Sequence, residues 1–365
     1  MSEPLKHMYS VQFFEQLCPV LNEVIPNFNE RRFVYDVFDT TWPDLELKQR
    51  TRQITLALGR CLPSDYKEAI ELIIRLSNLL REKEKQQSYP YVFLPDFIEL
   101  FGLDHFSLSM DAIEECTKFV SAEFAIRPFI IRYPQKTLQR MLKWSTHPNP
   151  SVRRLSSEGC RPRLPWAMGL PAFKKDPSLI LPILENLKCD PSEYVRRSVA
   201  NNLNDIAKDH PELALKIAKQ WKGVNPVTEW IIKHGCRTLL KRGHESVLNL
   251  HGFNPKAKSS VKDLTLSKKV IIGDSLAFDF TFLNQEAKAT LFRLEYVIDY
   301  LTSSGKTSRK IFKITENTFE AGTCIRFARK QSFKDFTTRK HFAGRHYLRI
   351  LSNGKELAAS EFFVC

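Results

Sequence analysis

The sequence lacks several features that would place it in a specialised class of protein. No apolar run reaches the ~18–20 residues that a membrane-spanning helix requires. The N-terminus lacks the basic segment followed by an apolar one that is typical of an export signal. The eight cysteines are scattered and never form a Cys-x-x-Cys pair, so neither a zinc site nor a disulfide framework is indicated. These absences predict a protein of the reducing cytoplasm that uses no metal, no cofactor and no membrane.

The composition is otherwise that of an ordinary globular protein. The 365 residues are 43% hydrophobic and 26% charged, which is enough chain for two or three domains with their own cores. The net charge of +14 is unevenly distributed. Residues 1–120 carry 13 Lys and Arg against 19 Asp and Glu, residues 121–256 carry 23 against 11, and residues 257–365 carry 19 against 11. A basic middle and end attract polyanions, and nucleic acid is the first candidate.

A repeated segment marks the middle of the chain. Asn149-Pro-Ser-Val-Arg-Arg154 and Ser192-Glu-Tyr-Val-Arg-Arg197 each follow a proline and open an amphipathic helix. Pro148 and Pro191 lie 43 residues apart, and at that offset the valine and both arginines coincide. A period of about 40–47 residues built from paired helices is typical of HEAT-type repeats. The repeat therefore predicts a helical solenoid with arginine pairs at equivalent places.

The pattern is helical as far as about residue 253. Apolar residues recur at i, i+3, i+4 and i+7, with short breaks that contain Pro, Asn, Asp or Gly. The predicted helices cover residues 33–38, 54–62, 70–80, 112–131 (one helix or two), 137–145, 151–158, 179–187, 192–208, 213–220 and 229–240.

Alternating apolar and polar residues then indicate strands. They are predicted at 275–284, 289–300, 310–314, 323–328 and 345–351, and Asn353-Gly354 is a strong two-residue hairpin signal. About seven short strands in roughly a hundred residues favour an immunoglobulin-like β-sandwich. We therefore predict a multidomain protein, α then β: a HEAT-like α-helical repeat solenoid at 1–253, a linker at 254–261 and an immunoglobulin-like β-sandwich at 262–365.

One helical face carries unusual chemistry. On the predicted helix 192–208, apolar residues form one face, and a polar ridge lies opposite. The ridge consists of Tyr194, Arg197, Asn201, Asn204, Asp205 and Lys208. The ordinary interpretation is a solvated surface on which Arg197 neutralises Asp205.

The preceding repeat adds to this pattern. Glu158 corresponds to Asn201 at the offset of 43, and a basic loop stiffened by prolines leads from it to Trp166. A further acid, Glu123, lies one element earlier. Trp166 has two interpretations of equal weight. It either stacks on a sugar or a base, or it fills the junction between repeats while Arg154 and Glu158 form an ordinary i,i+4 pair.

Three segments carry a resemblance to a known family. They are Glu123-Phe-Ala-Ile-Arg-Pro128, the run from His147-Pro-Asn-Pro150 through Glu158-Gly159 to Trp166, and the run from Ser198 to Pro211. Together they closely resemble the AlkC branch of the AlkC/AlkD DNA alkylation-repair glycosylases. The resemblance covers the whole helical part, and an appended immunoglobulin-like domain also occurs in one AlkC subgroup.

The resemblance implies a function and a site. It implies hydrolysis of the N-glycosidic bond of cationic bases, 3-methylcytosine and 3-methyladenine, in duplex DNA without base flipping, as the first step of base excision repair. It implies that Asp205, Glu123 and Glu158 line the deoxyribose of the lesion and that Trp166 packs near it. Each of these positions holds the residue that the family pattern expects. We accordingly expect a monomer that acts on alkylated double-stranded DNA in the nucleoid of the bacterial cytoplasm.

Physical chemistry agrees with that reaction. A cationic base is a good leaving group, and its departure leaves positive charge on the sugar. Carboxylates fixed beside that carbon stabilise the charge, and loss of one such group typically costs ~10²–10³ in rate. An uncharged adduct would leave too slowly for groups of this strength.

Basic side chains are candidates for phosphate contacts, which position a duplex without reading its sequence. In the repeats and the loop they are Arg153, Arg154, Arg161, Arg163, Arg196 and Arg197, with Lys233 and Arg237 as weaker candidates. The basic strands of the last domain are further candidates, with a solvated β-surface as the alternative. The alternative function is a non-catalytic HEAT-like DNA-binding scaffold or damage-sensing module. A protein–protein adaptor would better fit an apolar or acidic inner surface.

Overall fold

The structure, a computed structural model, describes residues 4–84, 88–336 and 339–365. Within these residues α-helices extend as far as Leu250, and β-strands follow from Ser259. No helix in these ranges is long and apolar enough to cross a membrane. The order of elements confirms the predicted fold class, a helical repeat region followed by a β-sandwich.

The helices of the described ranges begin mostly at prolines or polar caps. Helices α1 to α8 are Val11–Val24, Glu30–Val37, Leu47–Cys61, Tyr66–Lys83, Phe93–Phe101, Phe106–Thr117, Ile126–Arg132 and Pro134–Trp144. Helices α9 to α16 are Pro150–Glu158, Pro171–Lys175, Leu181–Leu187, Glu193–Asp209, Pro211–Trp221, Pro226–Gly235, Arg237–Lys241 and Glu245–Leu250. Proline suits the first helical position because its missing N–H would have no partner there.

The two repeats recognised in the sequence pack directly against each other. Helix α12 packs against both α9 and α14. Val152 and Leu155 of α9 and Val195 and Val199 of α12 are completely buried. Burying each of these side chains contributes about 1.5–3 kcal/mol. This apolar seam fixes the two helices that carry the candidate site.

The strands form two sheets. Strands β1 to β8 are Ser259–Leu266, Lys269–Val270, Ser275–Asn284, Thr290–Leu301, Thr307–Phe319, Cys324–Ser332, Gly344–Ser352 and Lys355–Val364. One sheet has the order β1-β3-β6 and the other β2-β8-β7-β4-β5, with β2 and β8 parallel and the other pairs antiparallel. Phe280, Phe282, Phe292 and Phe362 lie fully buried between the sheets. Alternating burial along β3 produces this aromatic core.

Several predicted boundaries need correction. Strand β5 extends well beyond the predicted 310–314, and β1 and β2 were not predicted. The predicted helix 229–240 is two helices, α14 and α15, and the region 112–131 holds the end of α6 and most of α7. Strand β1 carries the weak pattern of a partly exposed edge, which explains why alternation did not reveal it.

The chain divides into two compact units. One comprises Met1–His210 and Trp221–Gly235, and the other comprises Pro211–Gln220 and Cys236–Cys365. The second unit therefore includes helical segments as well as the strands. The predicted domain limits at 253 and 262 stay a prediction, and β1 begins within the segment predicted to be linker.

Candidate active site

Three carboxylates and two arginines form an alternating row across neighbouring helices. The members of this row are Glu123 before α7, Arg154 and Glu158 on α9, Arg161 just after α9, and Asp205 on α12. Arg154 lies 2.6 Å from Glu123 and 3.7 Å from Glu158. Arg161 lies 2.6 Å from Glu158 and 2.9 Å from Asp205. We call these five residues the charged row, and it brings all three predicted catalytic carboxylates together.

The charged row is largely withdrawn from solvent. The exposed fraction of the side chain is 17% for Glu123, 6% for Glu158 and 1% for Asp205. Lys208 Nζ donates to Asp205 Oδ1 at 3.0 Å, so each oxygen of this carboxylate has a cationic partner. Such pairing is required because an isolated buried charge costs several kcal/mol.

The arginines of the charged row stay charged. Burial alone would lower the pKa of Arg154 and Arg161, because an apolar environment penalises the charged form. Their carboxylate partners outweigh burial and raise the pKa of both guanidinium groups. The row therefore holds fixed positive charges between its carboxylates.

The polar ridge of α12 is only partly at the surface. Asp205 and Asn204 are 1% and 2% exposed, so their predicted place on a surface-facing ridge was wrong. The reason is the loop after α9, which reaches α12 and inserts Arg161 against Asp205. Helical periodicity carries no information about a loop from another repeat. Tyr194 and Arg197 at the start of the same helix are exposed.

Trp166 projects from this loop. It is 63% exposed, and its φ of +63° lies in the left-handed region that disfavours residues other than glycine. Its carbonyl oxygen accepts a hydrogen bond from Lys48 Nζ. Trp166 lines a cleft of about 110 Å³ together with Tyr89 and Phe124. This exposure favours the stacking interpretation over a plug between repeats.

The cleft and the charged row adjoin each other. Ser121 lines the cleft, and its hydroxyl donates to Glu123 Oε2 at 2.7 Å. Arg154 also donates to the Ser121 oxygen at 2.8 Å. Trp166 is therefore exposed at a cleft that meets the row at Glu123.

The first arginine of each repeat stabilises its own helix start. Arg153 Nη1 donates to the two carbonyls just before its helix at 2.9 and 2.8 Å, and Arg196 Nη1 does the same at 2.9 and 2.6 Å. Arg153 also forms a bidentate pair with the buried Asp190. The period of 43 residues thus preserves a structural hydrogen-bond pattern at these two positions.

The remaining predicted phosphate contacts differ in exposure. Arg197 pairs with Glu193 rather than with Asp205, and 66% of its side chain is exposed. Arg163 pairs with Asp209 and is 40% exposed. Arg154 and Arg161 belong to the charged row and are nearly buried. Arg163 and Arg197 are therefore the two of these four arginines most open to a ligand.

Comparisons with known proteins cover the whole chain. The protein YhaZ of Bacillus subtilis (strain 168), an uncharacterized protein, is 42% identical over 363 residues, which are 99% of each chain. The structure of Pseudomonas fluorescens alkylpurine DNA glycosylase AlkC, bound to DNA containing an abasic site analog, is 36% identical, with full coverage of both chains and a TM-score of 0.93.

The chain belongs to the AlkC family. Two family models match segments of the chain and agree with this assignment. The HEAT repeat matches residues 180–210, and the C-terminal Ig-like domain of YhaZ matches residues 260–365. The HEAT match spans α11 and α12, the helices of the second repeat recognised in the sequence. Family membership and fold class thus agree with the resemblance found in the three sequence segments.

This AlkC family member has a buried arginine that sequence reasoning did not single out. Arg127 is completely buried and donates to the carbonyl oxygens of Gly159, Arg161 and Met168 at 2.9, 3.0 and 2.8 Å. Its signal in the sequence is an arginine flanked by apolar residues and a proline on α7, since a charged residue in such surroundings seldom becomes buried without a structural reason.

Tyr194, which the sequence placed on the polar ridge without a role in the site, contacts the charged row. The Arg154 guanidinium lies 4.5 Å from the centroid of its ring, within cation–π range. Burial raises the pKa of the Tyr194 hydroxyl, Arg154 acts in the opposite direction, and Glu123 and Glu158 raise it further. Tyr194 therefore covers one side of Arg154 with a half-exposed aromatic ring.

Metal chemistry has no candidate ligands in the part of the chain that the structure describes. No group of three or more His, Cys, Asp and Glu side chains is placed there to hold an ion.

Proposed function

We propose that this AlkC family member is a monofunctional DNA glycosylase for cationic alkylated bases. Its substrates would be 3-methyladenine and 3-methylcytosine in duplex DNA, and it would hydrolyse the N-glycosidic bond without flipping the base. The observation that carries this proposal is the charged row beside the exposed Trp166. Full-length likeness to a glycosylase with DNA bound in its structure supports it.

Charge development explains why carboxylates suit this reaction. The electrons of the N-glycosidic bond move to the base nitrogen, which cancels the positive charge of the base and leaves a cationic sugar. Water then adds to the sugar carbon and gives up a proton. Carboxylates held in place stabilise the cation without reorganising during the reaction, which is the main source of such rate enhancement.

The three carboxylates differ in their access to solvent. Glu123 is the most exposed, and it is therefore best placed to orient the attacking water. Asp205 is the most buried, and its two oxygens are hydrogen-bonded to Arg161 and Lys208, so the position of its negative charge is fixed. Glu158 lies between them and shares both arginines.

Arg154 links the carboxylates to the DNA backbone in this proposal. Its guanidinium is 2.6 Å from Glu123, while 14% of its side chain stays exposed. A phosphate oxygen is an equivalent acceptor for a guanidinium. If Arg154 bound a DNA phosphate in place of Glu123, an oxygen of Glu123 would become free to bind water. Catalysis would then be coupled to the presence of a duplex.

Phosphate contacts would position the duplex over the row. Arg163 and Arg197 are the exposed candidates, while Arg153 and Arg196 would act indirectly by fixing the helix starts. The basic strands of the second unit, for example Arg329 in β6, supply further candidates. We propose that the protein acts as a monomer, because one chain contains all members of the row. We also propose that it associates with the nucleoid, since its substrate would be duplex DNA.

One observation favours the alternative of a DNA-binding scaffold without turnover. Each carboxylate of the row already has a cationic partner within the chain, and Asp205 is almost completely buried. A scaffold would bind duplex DNA with a steep salt dependence but release no base.

Base release decides between the two functions. A duplex containing 3-methyladenine or 3-methylcytosine is incubated with excess protein, the free base is measured by mass spectrometry, and strand scission is measured before and after alkali. The proposal predicts free base and strand scission only after alkali. Scission without alkali would contradict a monofunctional enzyme, and binding without base release would establish the scaffold.

A further inference from the structure

We propose that Arg127 is a positioning residue that fixes Trp166 and Arg161 through the backbone of their shared loop. Its effect on catalysis rests on the proposed function, whereas its effect on Trp166 does not. Arg127 hydrogen-bonds no side chain of the charged row, since all three of its hydrogen bonds go to backbone carbonyl oxygens, one of them that of Arg161. The residue therefore acts on the site through the loop and not on the substrate.

The three accepting carbonyls are placed at both ends of the loop. Arg127 Nη1 bonds the carbonyls of Gly159 and Arg161, near its start, and Nε bonds the carbonyl of Met168, near its end. One rigid planar group thereby joins residues nine positions apart. Lysine cannot reproduce this pattern, because its donors radiate from a single nitrogen.

Burial without an anion makes this arrangement unusual. No carboxylate forms an ion pair with Arg127 among the described residues, and its Nη2 atom has no hydrogen-bond partner there. Burial lowers the pKa of Arg127 to about 10. Asp205 and Glu123 raise the pKa of Arg127 from a distance, but its direct partners are the loop carbonyls. Burial of a cation is costly unless hydrogen bonds compensate it, so the guanidinium and the loop geometry depend on each other.

The loop would not keep its course without such support. Trp166 has a left-handed backbone conformation, which surrounding contacts must hold in place. At the loop start, a Cβ on Gly159 would lie 2.5 Å from Ile126 Cγ2, so glycine lets the chain approach α7 closely enough to reach Arg127. Lys48 also donates a hydrogen bond to the Trp166 carbonyl and so holds the loop at a further point.

Arg161 connects this clamp to the charged row. Its carbonyl oxygen accepts from Arg127, while its side chain binds Glu158 and Asp205. Displacement of the Arg161 backbone would therefore move its guanidinium away from its present position between Glu158 and Asp205. The clamp thus sets two features of the site together, the exposed indole of Trp166 and the bridge of the row.

The experiment compares Arg127→Lys with a matched control, Arg50→Lys. Arg50 is also a buried arginine that donates to backbone carbonyls, those of Leu45 and Lys6, and it lies over the ring of Trp42. Both variants are prepared in the full chain with 5-fluorotryptophan. The five tryptophans (Trp42, Trp144, Trp166, Trp221 and Trp230) give fluorine resonances that are assigned by single Trp→Phe substitutions.

We expect Arg127→Lys to shift or broaden the Trp166 resonance and to leave the other four in place. The single-turnover rate of base release should fall about 10- to 100-fold, the loss expected from a misplacement of about 1 Å. Arg50→Lys should move the Trp42 resonance and leave both Trp166 and the rate at wild-type values. Gly159→Ala, which forces the loop start away from α7, should reproduce the effect of Arg127→Lys on Trp166.

The outcomes separate this inference from the proposed function. A wild-type protein that releases no base refutes the proposed function, and the fluorine spectra then decide alone on the role of Arg127. An unchanged Trp166 resonance in Arg127→Lys overturns the inference, whatever the rate. Simultaneous movement of all five resonances also overturns it, because Arg127 would then support the fold in general.

Discussion

Arg161 and Asp205 are 44 positions apart in the sequence and form a buried ion pair with an Nε–Oδ2 distance of 2.9 Å. The same guanidinium binds Glu158, so one side chain joins the end of α9, the loop and α12. Removing one member of such a pair leaves an uncompensated buried charge, which costs about 3–5 kcal/mol. Variants at this site therefore need controls that lose a comparable pair elsewhere.

Trp166→Ala should weaken the complex with an abasic-site duplex and slow base release. Stacking of a base on an aromatic ring contributes about 1–3 kcal/mol, which predicts a loss of roughly 5- to 150-fold in affinity. Trp166→Phe should retain most of the wild-type affinity, because an aromatic ring remains for stacking. Fluorescence anisotropy with labelled duplex measures the affinity, and Trp230→Ala, at another exposed tryptophan, is the control. Equal losses for both alanine variants would remove Trp166 from the site.

Arg197→Ala should flatten the salt dependence of DNA binding. An exposed arginine at a phosphate contributes about one unit to the slope of log K against log salt concentration. Arg153→Ala should leave that slope unchanged and lower the free energy of unfolding by about 3 kcal/mol or more, because Asp190 stays buried without its partner. Binding titrations at several salt concentrations and urea unfolding measure the two effects. A flattened slope for Arg153→Ala alone would reverse these assignments.

Acid should remove the contribution of the pair between Asp209 and Arg163. The hydrogen bond from Arg163 lowers the pKa of the Asp209 carboxyl below its usual value of 3.8. A carboxyl whose pKa is lower in the folded state stabilises the fold above its unfolded-state pKa, and this stability is lost as the pH falls through the folded-state pKa. The difference in free energy of unfolding between wild type and Asp209→Asn should therefore shrink as the pH falls below about 5. Urea unfolding across that range measures it, and Arg163→Gln should remove the same pH-dependent difference.

Base charge should decide which lesions are excised. The cationic 3-methyladenine should be released, whereas its neutral isomer N6-methyladenine should remain, because carboxylates do not supply the activation that a poor leaving group needs. The two bases have the same mass and can occupy the same duplex position. Free base is measured after single-turnover incubation. Release of the neutral isomer at a similar rate would require an acid that protonates the base.

Local sequence signals were sufficient for much of the fold. Strand β3 has the predicted limits Ser275–Asn284, because every second residue from Leu276 to Phe282 is large and apolar. The hairpin at Asn353-Gly354 joins β7 to β8 with positive φ at both residues, as this dipeptide favours. The repeat was visible because proline and arginine recur wherever a helix start needs the same hydrogen bonds.

The candidate site was only partly predictable. Periodicity grouped Asp205 with the polar ridge of α12, and the preceding repeat and its loop drew attention to Glu158, Trp166 and Glu123. Resemblance to the family then implied roles for all four residues. The depth of Asp205 depends on a loop from the preceding repeat, and such long-range packing leaves no periodic trace. Arg127 was missed for the same reason, because its carbonyl partners are backbone groups of that loop.

The most direct test of the account is single-turnover release of 3-methyladenine by Asp205→Asn and Asp36→Asn. Asp36 is the matched control, since it is a buried carboxylate with two cationic partners, Arg32 at 3.0 Å and Arg60 at 3.3 Å, outside the charged row. The account predicts that Asp205→Asn slows release ~10²–10³-fold, while Asp36→Asn releases base at the wild-type rate. Wild-type release by Asp205→Asn, or equal losses in both variants, would contradict a catalytic charged row.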